Sequence, residues 1–189
     1  QAIADAYTLL TSVDSPHVVQ IHAVKTLPEG NRTGLLLVTD PAAHHPLFKT
    51  FQNTHNGLKE TLELAIQLAT AVNDLHRAGF IHQGLTGQTV GMDPESGRLM
   101  VVDFAPPEIL VRPEIADDQK DRQLAGMPAD FLPFISPEQT GRMNPPVDFR
   151  TDFYATGVLI YALLPGAPPF GEGDPKEIIH GHIARDPVP

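Results

Sequence analysis

From Val158 to Leu164 every side chain is apolar or aromatic, so a helix over this stretch has no polar face and is expected inside the protein. Thr151 or Asp152, just upstream, offers a short oxygen-bearing side chain that can accept from the free N–H groups of a first turn, and Pro165-Gly166 stops the helix. A second periodic run lies between Leu58 and Ala78. There Leu62, Ala65, Ala69, Val72 and His76 fall at three- and four-residue steps, which predicts a long helix with one buried stripe, ended by Gly79. Ile3, Tyr7, Leu10 and Val13 share one face of an amphipathic helix that breaks at Ser15-Pro16. Val18 to Val24 and Gly34 to Thr39 read as an antiparallel strand pair joined by the polar turn Pro28-Glu29-Gly30-Asn31. A smaller hairpin pairs Val90-Gly91-Met92 with Leu99 to Val102 around Asp93-Pro94-Glu95-Ser96-Gly97. A short helix is expected from Pro46 to Phe51, an irregular segment from Asp103 to Phe134, and a last helix from Pro175 to Ala184 with proline in its first turn. Strands and helices are segregated along the chain, which makes the fold class α+β.

With 189 residues, 41% of them hydrophobic, the chain is one globular domain by length, large enough for two lobes. Nineteen prolines and fifteen glycines point to long irregular connections between the periodic segments. The absence of cysteine rules out a disulfide framework and a thiolate metal site, and fits a reducing, cytoplasmic setting. A net charge of −10 with only 13 Lys and Arg leaves no basic footprint for nucleic acid or for an anionic membrane face. No apolar run approaches the ~20 residues of a membrane span, and no signal peptide opens the sequence. The chain begins at Gln1 and stops at Pro189 just past a helical stretch, so it is expected to be a piece of a longer polypeptide. His44-His45 and His180-x-His182 lack a fixed carboxylate set for a metal and read as surface histidines, and Asp117 to Arg122 reads as a solvated loop.

Five motifs stand in order along the chain: Leu75-His76-Arg77-Ala78-Gly79-Phe80-Ile81-His82-Gln83-Gly84-Leu85-Thr86, Val101-Val102-Asp103-Phe104-Ala105, Ser136-Pro137-Glu138, Asp152-x-Tyr154-x-x-Gly157-Val158 and Gly166-x-Pro168-Pro169-Phe170. Together they resemble the eukaryotic-type Ser/Thr protein kinases. More narrowly, Ser136 to Asn144, Asp148-x-Arg150-Thr151-Asp152-Phe153-Tyr154 and His182-Ile183-Ala184-Arg185 resemble the kinase-like domain at the front of large sensor proteins. There an ATPase module, a GAF module and often a histidine kinase follow on the same chain.

The resemblance implies a two-lobed fold in which residues 1–43 form the rear of a small lobe and residues 44–189 a truncated large lobe. The glycine-rich phosphate loop and the nucleotide lysine would lie before Gln1. It also implies a phosphoryl-transfer site with a carboxylate base, a cation on the moving group and oxygen ligands for Mg²⁺. The chain departs from that pattern where the family reads His-Arg-Asp-Leu-Lys-x-x-Asn, for here it reads His82-Gln83-Gly84-Leu85-Thr86-Gly87-Gln88-Thr89. Gly84 stands for the base, Thr86 for the cation and Thr89 for the second metal ligand. Asp103 is the remaining metal-binding candidate, with Ala105 in place of the glycine after it. The glutamate that would pair with the nucleotide lysine falls at Ala6 or Asp5, and Gln83 replaces the arginine that grips a phosphorylated activation loop. Thr39 and Asp40 to Ala42 would line a nucleotide hinge, and Gly91 replaces a bulky residue under adenine.

Leu10, Ile21, His82, Phe104 and Asp152 match the stacked residues that run through both lobes, and Glu138 matches a carboxylate whose arginine partner would lie beyond Pro189. Packing residues persist where reactive ones do not. The expected function is therefore a catalytically degenerate kinase domain serving as a regulatory or interaction module beside other domains of the same polypeptide, with ATP and Mg²⁺ bound weakly or not at all. The rival readings are a working Ser/Thr kinase with an unusual base and a non-catalytic ATP sensor.

Overall fold

The computed structural model describes residues 2–29, 32–40, 45–47, 57–104, 119–120, 123–124, 126–143, 145–164, 166–171 and 173–187. A short helix α1 (Ala2–Thr8) passes into a 3-10 turn over Leu9–Ser12. Tyr7, Leu10 and Val13 turn inward as their spacing requires, while the side chain of Ile3 lies outside the described residues. The strands β1 (Ile21–Glu29) and β2 (Arg32–Thr39) then form an antiparallel pair, with a register irregularity between Ile21 and Ala23. The first strand starts three residues later than the sequence pattern indicates. Val18 instead bridges to Val101 in parallel, and Val19 N–H donates to the Val101 carbonyl at 2.8 Å.

Helix α2 (Leu58–Arg77) is the longest element, and Gly79, at φ 82°, provides the left-handed turn that ends it. Its buried stripe is Thr61, Leu64, Leu68, Ala71, Val72 and Leu75, which corrects the expected one: Leu62 is 53% exposed and Ala69 is also at the surface. Two three-and-four patterns overlap on this helix, and the one carrying Leu64, Leu68 and Leu75 buries more apolar area than the one carrying two alanines. The small sheet β3 (His45–Pro46), β4 (Val90–Met92) and β5 (Leu99–Val101) is antiparallel in that order and sits against α2. The expected helix from Pro46 to Phe51 is thus corrected at Pro46, which is strand paired with Gly91; positions 48–51 lie outside the described residues. So do Ala42, His44, Ala105, Asn144, Pro165 and most of the segment expected to be irregular.

Helix α3 (Arg150–Leu163) crosses α2 and buries Thr151, Asp152, Ala155, Thr156, Val158, Leu159, Ala162 and Leu163. Within the all-apolar stretch Val158, Leu159, Ala162 and Leu163 are buried and Ile160 and Tyr161 half-buried, as expected, while Leu164, just past the end of the helix, is 48% exposed. Gly166, at φ 82°, turns the chain back by donating to the Ala162 carbonyl at 2.9 Å. Helix α4 (Pro175–Ala184) has proline in its first turn, and Asp174 caps it by accepting from Lys176 and Glu177 N–H. Among the described residues two clusters make the interior. The larger joins α1, β1, α2, the small sheet and α3; the smaller gathers Leu124, Phe131, Leu132, Ile135, Ile178 and Ile179 under α4.

Candidate functional site

The loop 81–89 hangs between the end of α2 and the start of β4, and a buried carboxylate from α3 holds it from beneath. Asp152 is 1% exposed. Its Oδ2 accepts from His82 N–H at 2.8 Å and faces His76 Nε2 at 2.7 Å, while Oδ1 accepts from Gln83 N–H at 2.7 Å. The carboxylate therefore does not cap its own helix, as the sequence pattern indicated; the N-cap residue is Phe149, with no side-chain bond. Thr151 is no cap either, because its hydroxyl donates to Glu138 Oε1 at 2.7 Å. That contact gives Glu138 a partner within the chain.

His82 is 1% exposed, with Nε2 2.9 Å from the Asp103 carbonyl and Nδ1 accepting from Gly84 N–H at 3.2 Å. This pattern requires the neutral ring with its proton on Nε2. Burial pushes the His82 pKa below its ordinary value, against the upward pull of Asp152 and Asp103. The ring lies against Phe104, tilted by 30°, at a centroid distance of 5.3 Å, Phe104 meets Phe80 edge-on at 5.7 Å, and Leu10 and Ile21 belong to the same core cluster as these two phenylalanines. The packing frame Leu10, Ile21, His82, Phe104, Asp152 is brought together as the sequence implied.

The reactive positions are occupied differently. Gly84 contributes only backbone: its N–H goes to His82 and its carbonyl accepts from Thr89 Oγ1 at 3.0 Å. Thr86 Oγ1 accepts from the N–H groups of Gln88 at 3.1 Å and Thr89 at 3.3 Å, and Thr89 Oγ1 accepts from Thr86 N–H at 2.8 Å. The two hydroxyls close the loop on itself. Asp103 is exposed, and its Oδ1 accepts from Phe104 N–H at 2.8 Å. Among the described residues no three His, Asp or Glu groups converge on a metal, and the Thr89 hydroxyl that would stand beside Asp103 is turned inward. Mg²⁺ held against nucleotide phosphates usually takes one or two protein carboxylates, with water and phosphate oxygens completing its octahedral shell, and Asp103 is the carboxylate that this loop region offers.

At the expected hinge, Thr39 Oγ1 donates to the Asp40 carbonyl at 3.1 Å, and Asp40 Oδ1 meets His22 Nε2 at 2.6 Å on the surface. Both groups are engaged with the strand pair, and Ala42 lies outside the described residues. Gly91 is buried in β4 between Pro46 and Met100. Two surface assignments are corrected: Lys120 is 9% exposed and His182 only 6%. His182 Nδ1 lies 2.8 Å from Tyr154 Oη, its ring meets Phe170 edge-on at 5.1 Å, and burial lowers its pKa to about 4. The Tyr154 hydroxyl is pushed up to about 12 by the same desolvation.

Gln139 was given no role by the sequence. It is 3% exposed, its Nε2 donates to the Gln83 carbonyl at 2.7 Å, and its Oε1 accepts from Ser136 N–H and Oγ–H, both at 3.1 Å. A polar side chain following the apolar run Phe131-Leu132-Pro133-Phe134-Ile135 was the available signal, since a buried amide must find partners.

Rings of His82, Phe104 and Phe80 packed in series, a carboxylate from a core helix clamping the loop after α2, and a strand leading to Asp103-Phe104 together make a kinase-type scaffold. The chain belongs to the protein kinase domain family, whose match covers residues 1–186. It is 27% identical over 188 residues to serine/threonine-protein kinase PkaA of Streptomyces coelicolor, covering 95% of this chain and 31% of that protein. It is 30% identical over 137 residues to a probable serine/threonine-protein kinase of the same organism, covering 70% of this chain and 19% of that protein. To histidine protein kinase 1 of Candida albicans it is 27% identical over 131 residues, 69% of this chain and 5% of that protein. The chain thus spans under a third of the length of each of these relatives.

Proposed function

We propose that this kinase domain is a pseudokinase: a regulatory or interaction module that transfers no phosphate, working beside other domains of a larger histidine-kinase-type signalling polypeptide. The observation that carries the reading is the loop 82–89, where Gly84 offers no side chain at the base position and the hydroxyls of Thr86 and Thr89 are spent on the loop's own backbone. A positioned base is worth roughly 10²–10⁴ in rate. In barrier terms that is about 3–5 kcal/mol, lost here together with the cation and the second metal ligand. The carboxylates nearest in the hydrogen-bond network, Asp103 and Asp152, serve backbone N–H groups. The name of the Candida albicans relative supports the histidine-kinase setting. We place the domain in the cytoplasm, with protein partners and neither nucleic acid nor membrane, its small lobe ending near residue 43. No described helix is long and apolar enough to cross a membrane.

The test is incorporation of labelled phosphate from ATP into a generic protein substrate, by the full-length domain with and without Gly84→Asp, with Mg²⁺ present. Neither protein should exceed background. Appreciable transfer by the unaltered chain overturns the proposal in favour of an active Ser/Thr kinase. A nucleotide-sensing variant of the reading draws on Asp103, whose Oδ2 has no hydrogen-bond partner among the described residues. It requires the melting temperature to rise with Mg-ATP concentration, because a ligand that binds only the native state stabilises it by mass action. A flat titration leaves the scaffold role.

A further inference from the structure

Gln83 is the one non-glycine residue with a left-handed backbone among those described, at φ 61°. That conformation crowds the Cβ of an L-residue against the following carbonyl, so it persists only where its neighbours hold it. Both of its backbone polar groups are held by side chains from elsewhere in the fold. The N–H goes to Asp152 on α3, and the carbonyl receives Gln139 from the turn Pro137–Thr140. The orientation of the Gln139 amide is fixed by chemistry, since one end faces a backbone N–H and the other a carbonyl. Its far end faces Ser136 Oγ at 3.1 Å, whose single proton is shared with Thr151 Oγ1 at 3.4 Å, and Thr151 donates its own proton to Glu138. Ser136 is also the only hydroxyl-bearing residue between Asp103 and Glu138. It is 0% exposed and hydrogen-bonded, so this stretch presents no accessible acceptor for a phosphate.

We propose that Gln139 is a positioning residue, a permanent latch that holds the strained turn at Gln83 and docks the loop 82–89 to the segment 136–140 without any phosphate. This goes beyond the pseudokinase reading and does not depend on it, since the latch would set the loop in an active or an inactive domain alike.

Residue-resolved amide exchange on the full chain tests it. Gln139→Glu in its ionised form keeps an oxygen for Ser136 N–H but has no donor for the Gln83 carbonyl. The amides of His82, Gln83, Gly84 and Thr86 should then exchange roughly tenfold faster, the equivalent of one backbone-directed hydrogen bond, while residues 137–141 keep their protection. Unchanged rates at 82–86, or acceleration confined to 136–141, overturn the proposal. Because a buried carboxylate endangers folding, Gln139→Met is the second variant, alone and combined with Gln83→Gly. Glycine accepts φ 61° without a Cβ cost, so the double variant should return the 82–86 rates to within about threefold of the unaltered chain. Acceleration that persists in the double variant also overturns it.

Discussion

Replacing Asp152 by asparagine is the sharpest probe of what holds the kinase frame together. The carboxylate is 1% exposed and accepts from two backbone N–H groups, at 2.8 and 2.7 Å, with His76 Nε2 at 2.7 Å. Asparagine keeps the shape but has one acceptor oxygen. If that oxygen serves Gln83 N–H, the amide group faces His82 N–H, donor against donor. His76 can adapt by moving its proton to Nδ1 and accepting from the amide, but a backbone N–H has no second tautomer. The irreducible loss is one charge-assisted hydrogen bond plus a buried donor without a partner, about 2–3 kcal/mol. Asp152→Ala strands both N–H groups and should cost about 4 kcal/mol, a large share of the ~5–15 kcal/mol that a domain possesses. Urea unfolding followed by circular dichroism gives the midpoints, and amide exchange at His82 and Gln83 locates the loss. An asparagine variant within about 0.5 kcal/mol of the unaltered chain would refute this reasoning, because it would mean that the two N–H groups reach water or another acceptor.

Two further outcomes follow from the buried groups. His182, neutral in the fold with a pKa of about 4 against 6.5 when exposed, adds stability that is complete above pH 6.5 and is lost as the pH falls towards 4. The unfolded chain takes the proton first, so the loss at pH 5 should be about 2 kcal/mol, and His182→Gln should flatten that part of the pH–stability curve; His82, lowered in the same direction, keeps the remainder of the slope. Gly181→Ala places a Cβ 2.8 Å from Phe170 Cγ and Cδ1 and 2.9 Å from its Cβ, so the ring that packs on His182 must move. Thermal unfolding should show about 1–3 kcal/mol of destabilisation, and an unchanged melting temperature would show that the loop at Phe170 yields freely.

Element types were legible in the sequence where one period dominates. Pro175 to Ala184, expected from proline in the first turn, matches the observed helix to the residue, and the hairpin around Asp93 to Gly97 follows from its turn chemistry. The face of α2 was not legible, because Leu58, Leu62 and Ile66 form a second apolar row at four-residue spacing that the fold leaves 67%, 53% and 67% exposed. Periodicity alone ranks such rows by spacing; the interior ranks them by how well they fill space. Pro46 failed for a related reason. Its strand exists only through pairing with Gly91, a partner 45 residues away that no local propensity can announce.

At the site, the substitutions themselves were legible because chemistry is written in residue type: glycine cannot take a proton wherever it sits. Where the new side chains point was not. Thr86 and Thr89 read from the sequence as losses, one cation and one metal ligand gone. In the fold they are paired three residues apart, each hydroxyl receiving the other's N–H, with Thr86 3% exposed. A loop stripped of its ligand-binding groups by unselected change would leave buried N–H groups without acceptors, at about 1–3 kcal/mol each. Here those N–H groups are satisfied from within, and Gln139 and Asp152 hold the neighbouring turn from two other elements. The loop therefore meets its own backbone hydrogen-bonding needs from inside the chain, from Thr86 and Thr89 within it and from Asp152 and Gln139 outside it.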